Sequence, residues 1–181
     1  MRKSFISILF MVGLCLMWTN PAIAIQEKKA QPRAKPVVYN VIPPEAREFD
    51  FWVGKWRVTG PGTLPFTDTV KIAAGGTALI ETWAAPDGSS SGSSINVYDS
   101  VNKTWTQTYA DSNGLFLQLT GKFENGEMIL LGKFRNPANN RVQLGRLKFS
   151  NITKNGLDQD MEVSDDNGQT WTLFYQTHWT K

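Results

Sequence analysis

The sequence contains one cysteine and one histidine, Cys15 and His178. Both scarcities exclude chemistry. A protein zinc site draws on Cys and His in sets, so one histidine does not build it. Cys15 sits in the apolar run Phe5–Trp18, which is expected to be removed. The remaining chain then has no disulfide, no thiolate nucleophile and no cysteine metal ligand. It must be held by its core alone. Helical periodicity is also missing, apart from a single turn at Pro44 to Phe49 that Pro43-Pro44 can start. No long apolar run follows Trp18, so no membrane span is expected in the mature chain.

What is present at the N-terminus has the three parts of a secretory signal. Arg2 and Lys3 form a basic start, the apolar run follows, and Ala22-Ile23-Ala24 places small residues where a signal peptidase reads them. The run stops at Thr19-Asn20-Pro21, short of the ~20 apolar residues a spanning helix needs. Leu14 stands where a lipoprotein signal before Cys15 would have a small residue. Residues 1–24 are therefore expected to be a signal peptide cleaved near Ala24, and the product to be exported, periplasmic or secreted.

Residues 25–47 hold Pro32, Pro36, Pro43 and Pro44 with scattered charge, which predicts an extended, basic linker. Val37-Val38-Tyr39 is short enough for an edge strand at most. The net charge of +3 belongs to the signal and this linker. Residues 48–181 carry 12 Lys/Arg against 14 Asp/Glu, without the basic excess of a nucleic-acid binder. Their length suits one domain.

From Phe49 the pattern is all-β. Short stretches rich in Thr, Val, Ile and aromatics alternate with turn signals. Strands are predicted near 50–59, 66–74, 77–85, 92–98, 103–110, 114–123, 126–134, 140–150, 156–164 and 170–180. Asn125-Gly126 and Asn155-Gly156 suit tight hairpins with positive φ, and Ser112-Asn113-Gly114 and Asp165-Asp166-Asn167-Gly168 suit longer loops. Ten strands joined by short turns favour an antiparallel up-and-down sheet that hides its edges by closing into a barrel. A sandwich is the alternative.

Alternation along the strands assigns the faces, with the more apolar set inward. Trp105, Gln107 and Tyr109 share one face against Thr104, Thr106 and Thr108. Leu115, Leu117 and Leu119 share another, as do Leu157, Gln159, Met161 and Val163. Trp171, Leu173, Tyr175, Thr177 and Trp179 oppose Phe174, Gln176 and His178. Leu79, Glu81 and Trp83 complete the inward set. The expected interior is aromatic but not wholly apolar. Its candidate ligand-binding residues are Glu81, Trp83, Trp105, Gln107, Tyr109, Gln159 and Tyr175. An inward Glu81 needs a partner, with Arg146 the candidate, or it stays protonated. These groups form either a satisfied network in a filled core or the lining of a pocket.

The densest motif is Phe49-Asp50-Phe51-Trp52-Val53-Gly54-Lys55-Trp56-Arg57-Val58. Leu79-Ile80-Glu81-Thr82-Trp83, Ser94-Ile95-Asn96-Val97-Tyr98-Asp99, Trp105-Thr106-Gln107, Asp111-Ser112-Asn113-Gly114 and Asp165-Asp166-Asn167-Gly168-Gln169-Thr170-Trp171-Thr172 follow it. On this series the chain resembles, over about residues 48–181, the bacterial exported family called domain of unknown function 1579. The resemblance implies a calycin or lipocalin-like barrel with no assigned activity, in which Gly54 permits a bend and Trp56 plugs the base. Calycin-like nitrobindins bind haem through a histidine near the chain end. Here His178 falls on the outer face, and Val58 stands where their opening has a second glycine. Neither haem nor another cofactor is expected.

Other chemistry is sparse. Asp165-Asp166-Asn167-Gly168 lacks the loop length and closing Glu of a calcium hand and reads as a turn. Ser89 to Ser94 reads as a loop without a nucleophile elbow, and His178 has no evident orienting partner. Asn102-Lys103-Thr104 and Asn151-Ile152-Thr153 are glycosylation sequons, relevant only in a eukaryotic secretory pathway. The expected partner is a small apolar or aromatic ligand, without nucleic acid. The alternatives are an enzyme with Glu81 as acid or base, and a structural or interaction module with a filled core.

Overall fold

A computed structural model of the chain describes residues 42–181. The expected signal peptide, most of the expected linker and the possible edge strand at 37–39 lie outside the described residues. Ten strands follow in order: β1 (Gly54–Thr59), β2 (Phe66–Ala73), β3 (Ala78–Ala84), β4 (Ser91–Asp99), β5 (Thr104–Asp111), β6 (Phe116–Glu124), β7 (Glu127–Arg135), β8 (Val142–Ser150), β9 (Gly156–Ser164) and β10 (Thr172–Thr180). Each pairs antiparallel with its sequence neighbour, and β1 closes on β10 to make a barrel. The closing seam is short, joining Arg57, Val58 and Thr59 to Thr180, Trp179 and His178. Closure satisfies the backbone groups that an open sheet would leave at its edges. The all-β up-and-down barrel expected from the sequence is thus the fold.

Turn chemistry sets several connections. Asn125 (φ 54°) and Gly126 (φ 84°) make the two-residue β6–β7 hairpin, as their positive φ angles require. The β8–β9 connection differs from expectation. Its positive φ belongs to Asn151 (48°), and Gly156 instead opens β9. There Thr153 donates from both its backbone N and its Oγ1 to the Gly156 carbonyl.

The segment before β1 is not a strand. Residues 44–47 and 50–52 form two short 3-10 turns, Pro44–Arg47 and Asp50–Trp52. Pro44 at the first helical position gives up no hydrogen bond there. The turns fold the chain across one end of the barrel. Ala46, Phe49 and Trp52 are fully buried, so the packed domain begins a few residues before the boundary at 48. Gly54, at φ 148°, makes the bend from this segment into β1.

That end, the base, is filled. Phe49 stacks on Trp52 at 5.1 Å and meets Trp105 and Phe149 edge-on at 5.3 and 5.0 Å. Trp52 also meets Trp179 at 5.7 Å, and Trp56 donates from its indole to the Trp52 carbonyl at 2.8 Å. Offset and edge-on aromatic contacts add stabilisation beyond the area they bury. Met128, Leu130 and Leu119 complete the layer.

Candidate functional site

The opposite end, the mouth, is built from the end of β1, the start of β2, the end of β3, the start of β4 and so on around the barrel. A cavity of about 580 Å³ opens there. Phe66, Trp83, Tyr109, Leu117 and Tyr175 wall it, and Leu147 and Trp179 lie below, toward the filled base. The volume lies within the range of small-molecule sites, about 300–1,000 Å³. Of the residues expected at a site, Glu81, Trp83, Gln107, Tyr109, Gln159 and Tyr175 all line it. Trp105 does not. It is buried in the base, and its indole donates to the Glu45 carbonyl at 3.3 Å. Trp105 and Gln107 share a face, but two residues along a strand span roughly 7 Å, enough to pass from plug to cavity.

The aromatic wall is tied together. The Trp83 indole donates to the Tyr109 hydroxyl at 3.1 Å, and Phe66 packs on Trp83 at 5.2 Å. The Tyr175 hydroxyl donates to Gln159 Oε1 at 3.4 Å, a long contact. Burial pushes both phenols above their ordinary pKa, so they stay neutral.

The polar groups of the wall form a directed chain. Gln107 Nε2 donates to Asn96 Oδ1 at 2.9 Å, and Asn96 Nδ2 donates to Ser94 Oγ at 2.8 Å. Ser94 Oγ donates to Glu81 Oε2 at 2.5 Å. Beside Glu81 stands Asp68, across β2 and β3 from it, close enough for each carboxyl group to act on the other, and 1% exposed. Burial raises the pKa of both carboxyl groups above the ordinary carboxylate range. The charge of Glu81 pushes Asp68 up further, while the bonds from Ser94 and Asp68 favour ionised Glu81. The pair therefore retains a proton at neutral pH, held by the two carboxyl groups in common. Asp68 Oδ1 has no hydrogen-bond partner.

Arg146 is not the partner of Glu81. It points outward, with Nε 2.7 Å from Glu162 and its guanidinium over Trp171 at 4.1 Å. On β8 the inward set is Gln143, Leu147 and Phe149, with Gly145 between them. Gly145 presents no side chain there because Met161 and Phe134 occupy the space a Cβ would need. On β10 a bulge between Leu173 and Tyr175 resets the alternation. Leu173 consequently sits opposite outward-facing Glu162 while still edging the cavity mouth, and Trp171 lies outside. His178 does have an orienting partner, since its Nδ1 lies 2.5 Å from Asp158. Both are on the outer wall, away from the cavity. Ser91, Ser93 and Ser94 lie in β4 rather than in a loop.

Asp68, Ser94 and Asn96 escaped sequence reasoning. Asp68 alternates with Phe66 and Val70 on β2, which was signal enough. Ser94 and Asn96 were hidden because β4 turns its apolar set outward. Ile95 and Val97 are 47% and 39% exposed, and the polar set faces in. Compared with known protein families and with curated proteins, the chain matches none.

Proposed function

We propose that this protein binds a small, largely apolar or aromatic molecule in the mouth cavity. The supporting observation is the cavity itself, about 580 Å³ of space walled by aromatic rings, in a barrel whose other half is closely filled. Phe66, Trp83, Tyr109 and Tyr175 would stack against the guest, while Gln107, Gln159 and the acid pair orient it. The signal-like N-terminus supports a binding role outside the cytoplasm, and the resemblance to an exported calycin-like family agrees with that setting.

Trp83 and Trp179 report on the cavity. Titration with a fatty acid, haem and a dansyl-labelled aromatic should quench or shift their emission for at least one class. Leu117→Trp, which fills the cavity from β6, should abolish that response while thermal melting persists. No response to any class, or a response unchanged by Leu117→Trp, overturns this reading. A second reading draws on the shared proton of Asp68 and Glu81, an arrangement suited to general acid–base catalysis. Glu81→Gln would then abolish turnover of the bound substrate while thermal melting persists.

A further inference from the structure

The cavity is electrostatically one-sided. Asp68 and Glu81 lie in its wall and Asp111 at its rim. Among the lining residues there is no lysine, arginine or histidine. The nearest outer cations of the flanking strands, Lys55 and Arg57 on β1 and Lys71 on β2, alternate away from the inward set of Trp56, Val58, Asp68 and Val70. The other titratable side chains lining the cavity are Tyr109, Tyr175 and Asp111, none of them basic. The buried carboxyl pair therefore has no cationic partner of its own. Asp68 is a second, separate sign, because its Oδ1 is buried without a hydrogen-bond donor. A buried acceptor left unsatisfied is costly, and a guest that supplies the donor recovers that cost.

We propose that the guest is an amphiphilic amine, whose ammonium group docks between Asp68 and Glu81 while its apolar or aromatic body lies against Trp83, Phe66 and Tyr109. This rests on the ligand-binding reading above and names its substrate class. The ammonium has the donors that Asp68 Oδ1 lacks, and its charge replaces the proton the pair holds in common. On docking, that proton leaves the pair for solvent, so the carboxylates carry two negative charges against one ammonium. The chain from Gln107 through Asn96 and Ser94 delivers a donor to Glu81 and supports the added charge. The ring faces of Trp83 and Tyr109 favour a cation nearby. Asp111 at the rim attracts cations to the mouth.

Three dansyl probes of one body test this with the full-length mature protein: dansylcadaverine, its N-pentyl analogue without the amine, and the dansyl derivative of aminocaproate. Dansyl fluorescence gives affinity, and calorimetry in two buffers of different ionisation enthalpy gives the proton balance. The amine should bind about tenfold or more tighter than the neutral probe, as a charged hydrogen bond allows. The carboxylate probe should bind weakest. Amine binding should release close to one proton. In Asp68→Asn, and independently in Glu81→Gln, the ratio of amine to neutral-probe affinity should fall to near parity. Two variants guard against a misfolded one, and near-ultraviolet circular dichroism checks each. Equal binding of amine and neutral probes, or a preference that survives both variants, overturns the amine proposal and leaves the cavity reading standing. Failure of all three probes to bind overturns both.

Discussion

At the base of the barrel each inward ring lies against another ring; at the mouth, inward carboxyl groups line open space. The two halves are made by the same ten strands and separated by only a few residues along each. Phe149 and Leu147 lie on one face of β8, yet the first is packed among Phe49, Phe51 and Trp52 while the second lines the cavity. The difference comes from the two 3-10 turns before β1. They deliver Phe49 and Trp52 into one end and leave the other end without a plug. Close packing is concentrated where the plug sits, and open space remains where it does not.

The largest expected effect breaks the filled half. Phe149→Ala removes a fully buried ring and leaves a hole among rings that cannot collapse into it. A loss of about 3–5 kcal/mol is expected in urea denaturation. A loss under about 1 kcal/mol would show that the base is less closely packed than its geometry states.

The next effect belongs to the mouth and has a definite sign. The folded pKa values of Asp68 and Glu81 are raised, so the stability they contribute is complete below the ordinary carboxylate range. It is lost as pH rises from about 4 through the raised values, by up to about 1.4 kcal/mol per pH unit for one retained proton. Urea midpoints measured from about pH 5 to about pH 9 should fall in the wild type and flatten in Asp68→Asn. At the alkaline end the variant should be the more stable protein. A wild-type profile as flat as the variant's would remove the shared proton.

A smaller effect separates shape from stability at the mouth. A Cβ at Gly92 would stand 2.4 Å from Trp83 Nε1 and 2.8 Å from the Tyr109 hydroxyl. Gly92→Ala should swing Trp83 aside and break its bond to Tyr109, at a cost of about 1 kcal/mol. It should shift Trp emission and weaken probe binding severalfold, with melting little changed. The smallest effect is on the outer wall. Arg146→Ala loses a half-exposed ion pair and a cation–π contact, worth about 1 kcal/mol together. Probe binding should not change.

Much of this architecture was legible in the sequence, because strand length, alternation and turn residues act locally. All ten strands and the inward set of Glu81, Trp83, Gln107, Tyr109, Gln159 and Tyr175 follow from period-two patterning. Height within the barrel does not. Nothing local to Trp105 states that it lies below the cavity, since that depends on where residues 44–52 fold back. The rule that the apolar set points inward failed on β4, where Ile80 and Ile95 pair on the outer surface and Ser94 and Asn96 turn in to serve Glu81. On β8 the rule itself holds, since Leu147 and Phe149 point in, and it places Arg146 outside rather than beside Glu81. It failed on β10 because a bulge is a one-residue shift without a sequence signature as clear as Asn-Gly. Each failure is a place where a distant neighbour, not the strand itself, sets the face.

The short seam between β1 and β10 sets an order of events. Every other strand pair joins neighbours in the chain and forms as soon as its hairpin emerges. The seam joins Arg57–Thr59 to His178–Thr180, at opposite ends of the domain. The same final strand brings Trp179 to the rings of Trp52 and Trp56. A chain threaded out amino-end first must therefore hold a nine-tenths-built, unzipped wall until its last few residues arrive. Losing those residues leaves two raw sheet edges and an unsealed base, rather than a slightly shorter barrel.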